Sequence, residues 1–374
     1  MACLTLRNVW KKYGKVVALK GINCEVKDGE LLTILGPSGA GKTSLLQTIA
    51  GVEEIVAGEI YIDKQRVDQL PPPERDVAMV FETYALYPNK TVYQNMAFPL
   101  HSPFRKLPKN EIDQKVKEIA RLLQIDWLLE RNVSQLSGGQ RQRVALGRML
   151  VRNPKIFLMD EPIAHLDAKL RHRLRGELKN IQRKFGITTL YTTHDYREAL
   201  GMGDRVIVLN QGNVLQIAEP EKIFKFPKND FVGGLVGDPP MNFFMSYLTS
   251  NSSGIVLRNE AFEILLDQKM TEITSKLNID HLKIGLRPSD ILVSMTPKEN
   301  FFPAEIYVFE PLGMIQILTL AQQKIKFQVK YSGSFNFEMG QKVYFGFQPD
   351  KIHYFHPNTG LNVLFEEEEF FNTH

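Results

Sequence analysis

The spacing of apolar residues changes period repeatedly along the chain, and each change marks an element. Period-two alternation through residues 3–9 and 16–26 predicts two strands, joined through Trp10-Lys11-Lys12-Tyr13-Gly14. Leu31-Leu32-Thr33-Ile34-Leu35 is an unbroken apolar run and reads as a buried strand. Ser44–Ala50 reads as a short helix, with Gly51 placed to end it. Strands follow at 58–62 and 77–81, on either side of the stiff, proline-rich Leu70–Arg75. Ile112, Val116, Ile119 and Leu123 fall at helical spacing in a segment opened by Asn110, so residues of about 90–150 read as a mostly helical insert. Lys155–Glu161 predicts a further apolar strand, stopped by Pro162. Leu170, Leu174, Leu178, Ile181 and Phe185 mark one face of a helix that ends at Gly186, a core stripe without chemistry. Ile187–Thr193 is β-rich, and 205–209 and 213–217 form a hairpin across Asn210-Gln211-Gly212.

Strands and helices alternate to about residue 235, which predicts a sheet with helices packed on it. The composition shifts to glycine and proline at 233–240, placing a boundary between domains 1–238 and 239–374. Beyond it lie short alternating runs at 254–258, 282–286, 304–309, 314–320, 324–330 and 342–347, which read as a small all-β barrel or a pair of barrels. That half holds no catalytic constellation. Glu366–Glu369 and Phe370-Phe371 read as a frayed acidic end.

Bulk properties narrow the function classes. The chain has 374 residues, enough for two or three domains with real cores. A net charge of +4 without a long basic cluster does not argue for nucleic acid. No apolar run approaches the roughly 18–20 residues that span a bilayer, and the first residues lack a signal-peptide core. Cys3 and Cys24 are the two cysteines, so a disulfide framework is not indicated and the cytosol is the expected compartment.

The chemistry is concentrated at strand ends. Gly36-Pro37-Ser38-Gly39-Ala40-Gly41-Lys42-Thr43 fits G-x-x-x-x-G-K-[ST] and sits between a strand and a helix, the context of a phosphate-binding loop. The glycines let backbone N–H groups close around phosphate oxygens, and the helix N-terminus adds donors and partial positive charge. Lys42 should reach the β/γ-phosphates, and the Thr43 hydroxyl should hold Mg²⁺. Asp160 and Glu161 end an apolar strand, where unpaired acids are costly and a metal ion with a reacting water gives them a role. His194 also follows a strand, so Lys42, Asp160, Glu161 and His194 converge on one sheet rim. Leu136-Ser137-Gly138-Gly139-Gln140 opens a helix and is either a second anion site or simply an N-cap. Tyr13 is either a base-stacking aromatic or an edge-packing residue. Glu82-Thr83-Tyr84-Ala85-Leu86-Tyr87-Pro88, rich in aromatics and turn formers, makes a plausible hinge and docking surface.

In these residues the chain resembles the ATP-binding-cassette (ABC) ATPases, and more closely the ATPase subunits of carbohydrate importers, the maltose-importer group. Gly36–Thr43 resembles Walker A, Leu136–Gln140 the LSGGQ signature, Ile156–Glu161 Walker B, and Ala164-His165-Leu166-Asp167 the D-loop. His194 resembles the switch histidine, and Tyr13 the adenine-stacking aromatic. Ala168-Lys169-Leu170-Arg171, Glu219-Pro220, Phe231-Val232, Met241-Asn242-Phe243 and Gly285-Leu286-Arg287-Pro288 are similar to the carbohydrate-importer group.

The resemblance implies an α/β P-loop NTPase, an ABC ATPase core with a helical subdomain, followed by an all-β OB-like, TOBE-type regulatory domain. It implies ATP as substrate with Mg²⁺, bound by Gly36 to Ser44 and by Tyr13. Asp160, Thr43 and Glu82 would be the metal ligands, Glu161 would polarise the water, and His194 would hold the γ-phosphate in line. Ser137, Gly138, Gly139, Gln140 and Asp167 would complete the site of a second ATPase chain, most simply an identical one. Membrane-spanning permease subunits docked near residues 82–100, an external solute-binding protein, and a peripheral position on the cytoplasmic face of the membrane also follow from it. Glu82 departs from the family, which usually carries Gln there; it keeps an oxygen ligand but adds negative charge. That leaves open a catalytically weakened subunit paired with a second one. The other alternative is a soluble ABC-type ATPase with a regulatory or mechanical role.

Overall fold

Leu4–Tyr13 (β1) and Val16–Val26 (β2) form an antiparallel hairpin with Tyr13 opposite Val16. The sequence reading treats 10–14 as a connection. The strand instead continues to Tyr13 through register shifts, and Gly14, at φ +55°, supplies the tight turn. The computed structural model describes residues 2–81, 83–101, 107–164, 168–252, 254–333 and 335–365.

Leu31–Leu35 (β3) is buried at all five positions and leads into Lys42–Ala50 (α1). Ala57–Ile62 (β4) and Gln65–Arg66 (β5) extend the first hairpin into a four-stranded sheet of order β2-β1-β4-β5. Val77–Val80 (β6) then returns to the neighbourhood of α1. The insert contains Val92–Ala97 (α2), Lys109–Leu122 (α3) and Gly138–Leu150 (α4). Thr91 and Gln94 close a capping box on α2, and Ile112, Val116 and Ile119 are buried on α3 as their spacing predicts.

Ile156–Asp160 (β7), Ala168–Phe185 (α5), Thr188–Thr193 (β8), Tyr196–Met202 (α6), Arg205–Asn210 (β9) and Asn213–Ala218 (β10) complete the unit. The central sheet has six strands in the order β10-β9-β3-β8-β7-β6, parallel except for β10. One apolar core joins its strands to β1, β2, β4 and α1. A second joins strands of the same sheet to the helical insert and to Leu174 and Leu178 of α5. With both faces covered, β3, β7 and β8 are buried along their whole length, which accounts for their unbroken apolar or threonine-rich sequences.

The chain divides into two compact units, 1–221 and 222–374. Residues 222–238, which composition assigns to the first domain, group with the second. Their partners explain this. In Asp230–Leu235, Asp230 pairs with Lys283 at 2.6 Å, and Arg287 donates to the carbonyls of Val236 and Phe224. The glycine-proline stretch thus marks a loop inside the second unit rather than the join.

The second unit holds two five-stranded antiparallel sheets around one apolar core. The first contains strands 242–251, 254–258, 263–265, 281–286 and 353–355; the second contains 291–294, 302–312, 315–322, 325–331 and 342–347. The sequence reading expects a barrel or a pair of barrels, and it omits the helix Gln268–Lys276, capped by Asp267.

Candidate functional site

The phosphate-loop sequence becomes a turn between β3 and α1 that only glycine accommodates at key positions. Gly41, the N-cap of α1, has φ +105°, and a Cβ there would lie 2.7 Å from the Ala18 carbonyl oxygen. A Cβ on Gly36 would lie 2.3 Å from the Leu209 carbonyl oxygen. No side chain caps α1, so the N–H groups of its first turn remain available to an anion. The loop is held from outside by the Gly36 N–H to Thr193 and the Gly212 N–H to the Ala40 carbonyl, at 3.4 and 2.9 Å. Lys42 Nζ, almost fully buried, donates to the carbonyls of Gly36 and Pro37 at 2.9 and 3.1 Å. Its third partner is Glu161 Oε1 at 3.0 Å.

The acidic pair sits at the carboxyl end of β7, one strand removed from β3. Asp160 Oδ1 accepts from Thr43 Oγ1 at 3.2 Å and from Thr192 Oγ1 at 2.7 Å. The Thr192 hydroxyl oxygen accepts in turn from the Glu161 N–H at 3.1 Å. Thr192 of β8, read from the sequence only as a strand residue, therefore fixes both acids. Glu161 adopts φ +43°, a left-handed conformation uncommon outside glycine, which turns its side chain back over the loop. Its Oε2 lies 2.7 Å from His194 Nδ1. Burial works against ionisation of Glu161, but the Lys42 ammonium and the His194 ring outweigh it, and the carboxyl is held below its ordinary value.

Beside these groups opens a cleft of about 520 Å³, lined by Tyr13, Lys20, residues 38–44, Glu161 and Gln211, with Val16, Val17 and Ala18 as its apolar wall. Tyr13 is 40% exposed, and the Lys11 ammonium lies over its ring at 4.6 Å. Charged donors at one end and an apolar, aromatic wall at the other suit a nucleotide. For a hard cation, Thr43 and Asp160 supply neighbouring oxygen ligands. Among the described residues no three His, Cys, Asp or Glu side chains converge on a metal.

Ser137 begins α4 and forms a capping box with Gln140: Gln140 N donates to Ser137 Oγ at 3.4 Å, and Ser137 N donates to Gln140 Oε1 at 2.9 Å. Among the described residues, none of Ser137, Gly138, Gly139 and Gln140 lines the cleft. Glu82 and Asp167 lie outside the described residues. Arg148 of α4 donates to the carbonyls of Tyr84 and Ala85 at 2.8 and 2.7 Å. Sequence reasoning also misses Arg75. It is buried, and it donates to the carbonyls of Thr48, Ile49, Asp68 and Leu70, clamping the last turn of α1. An arginine directed at carbonyls remote in sequence leaves no periodic signal.

The geometry can be set beside known proteins. The family model described as "ABC transporter" matches residues 19–164. The trehalose/maltose import ATP-binding protein MalK of Thermococcus litoralis is 45% identical, covering 97% of this chain and 100% of that protein. The oligosaccharides import ATP-binding protein MsmX of Bacillus subtilis is 40% identical, covering 97% and 100%. The sn-glycerol-3-phosphate import ATP-binding protein UgpC of Bordetella avium is 39% identical, covering 97% and 99%. Among solved structures, a dimeric ATP-binding cassette in a post-hydrolysis state with ADP and Pi aligns at a TM-score of 0.52 and 33% identity, covering 58% of this chain and 98% of that one.

Proposed function

Because the chain belongs to the ATP-binding proteins of ABC importers, we propose that it binds and hydrolyses ATP to drive uptake of a sugar or sugar-like solute. The observation that carries this reading is the convergence of Lys42, Asp160, Glu161 and His194 at the carboxyl ends of three adjacent strands, β3, β8 and β7. The importer names of relatives matched over nearly their full length support the solute class.

In this reading Tyr13 stacks the base, and the backbone N–H groups of residues 38–44 cradle the phosphates. Lys42 exchanges its carbonyl partners for β- and γ-phosphate oxygens. Thr43 and Asp160 hold Mg²⁺, which neutralises phosphate charge when bound with ATP. Glu161 is ionised, already aligned by His194, and accepts a hydrogen bond from the attacking water. His194 then holds that water and the γ-phosphate in line. Placement and charge complementarity supply most of the rate in phosphoryl transfer, so a rim whose charged groups are hydrogen-bonded into place is suited to it.

A second copy of the chain brings Ser137, Gly138 and Gly139 to the γ-phosphate, the N-terminal end of α4 being suited to an anion. ATP that binds only between two closed copies shifts the population toward closure, and this drives membrane-spanning partners. Within the 82–100 segment, Tyr87 and Phe98, in ring contact at 4.5 Å, serve as the docking surface for those partners at the cytoplasmic face. Among the described residues no helix is long and apolar enough to cross a membrane itself. An external binding protein delivers the solute, and the β-rich unit takes regulatory input.

The test is phosphate release from Mg-ATP by the full chain, alone and with its copurifying membrane subunits. Turnover that disappears in Glu161→Gln while ATP binding persists supports the reading. Absence of turnover in both settings overturns it. Uptake of labelled sugars by the reconstituted complex decides the solute class.

A further inference from the structure

Helix α6 begins two residues after His194, and its N-terminus departs from the usual arrangement. Asp195 is the N-cap and Glu198 the third residue of the helix. A glutamate at that position ordinarily reaches back to the N-cap backbone N–H. Here the Thr193 hydroxyl is interposed. The Asp195 N–H donates to Thr193 Oγ1 at 3.0 Å, and Thr193 Oγ1 donates to Glu198 Oε2 at 2.9 Å. The residues on either side of His194 are thus tied to each other through one hydroxyl and one carboxylate.

Glu198 is 4% exposed, and its carboxylate also accepts from the Tyr191 hydroxyl at 3.1 Å. Across from it, Arg171 of α5 lies 4.0 Å from Glu198 Oε1 and donates to the Ala164 carbonyl at 3.2 Å. The Ala164 N–H closes a turn onto the Glu161 carbonyl at 3.2 Å. One buried carboxylate therefore stands between the segment carrying Glu161 and the segment carrying His194. Burying a charge is costly unless it is paired and hydrogen-bonded. Glu198 does not line the cleft, so nucleotide contact does not account for it.

We propose that Glu198, acting through the Thr193 hydroxyl, is a positioning residue that fixes the backbone on both sides of His194 and holds its ring in register with Glu161. The inference rests on the hydrolytic role proposed above and extends it to residues that do not contact ATP. Free of this tether, the His194 segment keeps its place in the sheet through β8, but the ring loses its fixed approach to Glu161. Misplacement on the ångström scale is enough to cost catalysis heavily while leaving nucleotide binding, made mainly by Tyr13 and residues 38–44, nearly unchanged.

The test compares Thr193→Val and Thr193→Ser in the full chain, reading kcat and, separately, affinity for a fluorescent ATP analogue. Thr193→Val keeps the shape and β-branching but removes the relay, and kcat should fall by about ten- to a hundredfold with affinity within about twofold. Thr193→Ser restores the hydroxyl and should recover most of kcat. Glu198→Leu breaks the same relay from its other end and should reproduce the Thr193→Val result, which covers the case of one variant failing to fold. The proposal is overturned if a folded relay-breaking variant turns over ATP within about twofold of the unaltered chain. It is also overturned if Thr193→Ser is as impaired as Thr193→Val, or if affinity falls in parallel with kcat. An unaltered chain without turnover would instead strike at the hydrolytic reading itself.

Discussion

Lys42 Nζ and Glu161 Oε1 stand 3.0 Å apart, so the cation of the phosphate loop and the carboxylate assigned to the attacking water are ion partners. Phosphate oxygens must compete with that carboxylate for the ammonium. Glu161→Gln removes the competitor and should tighten ADP binding by about two- to fivefold, the worth of a modest ion pair. It should also reduce ATP turnover by at least ~10²-fold. Fluorescence titration with ADP, where hydrolysis cannot interfere, checks the first part. Weaker ADP binding would show that the pair does not oppose nucleotide.

The same carboxylate sets an acid dependence. Glu161 is held below its ordinary value of 4.5 because, although burial opposes its charge, Lys42 and His194 favour it more. A depressed carboxyl stabilises the fold fully above its unfolded pKa, and that contribution disappears as pH falls through the folded value. The melting temperatures of the unaltered chain and Glu161→Gln should keep a constant gap from pH 7 to about 5.5 and converge in more acidic solution. A gap that widens on acidification would contradict the assigned direction.

Two loop glycines separate conformation from space. Gly39 has φ +78° with open space around its Cβ position, whereas Gly41 combines φ +105° with backbone 2.7 Å away. Gly39→Ala should cost about 1–2 kcal/mol, the left-handed penalty alone. Gly41→Ala adds a clash and should cost more, with nucleotide affinity falling at least tenfold as the loop shifts. Chemical denaturation and nucleotide titration of the two variants give the comparison.

Arg75 tests how α1 is held. Its guanidinium reaches four carbonyl oxygens from three directions, and a lysine ammonium cannot span them. Arg75→Lys should lower stability by roughly 2–4 kcal/mol, the cost of leaving buried acceptors unpaired. An unchanged denaturation midpoint would show that the clamp is dispensable.

The α/β half was legible because its strands are buried on both faces and so appear as apolar runs, as at Leu31–Leu35. The glycine loop was legible because a tight backbone around an anion restricts residue type. What escaped notice depends on contacts between remote segments. Thr192 and Glu198 are ordinary residues for a strand and a helix, and their roles appear only once β7, β8 and α6 are adjacent. In the second unit, Gln268–Lys276 did carry a helical signal, Asp267 as cap with Met270 and Ile273 buried, but it is a nine-residue helix set among strands. The boundary read near 238 differs from the division after residue 221 because glycine and proline mark any sharp loop, including one inside a compact unit.

The order β3-β8-β7 makes the sheet a gauge for the reacting groups. Neighbouring strands lie about 4.8 Å apart whatever their separation in sequence. Three strands abreast therefore hold the root of the glycine loop, the His194 segment and the Asp160-Glu161 pair within roughly 10 Å of one another. The residues between β6 and β7 can lengthen, shorten or change their outer surface without altering that interval. The outer surface of the inserted helices is thereby free to diversify, while the spacing at the sheet rim is set by the pleat.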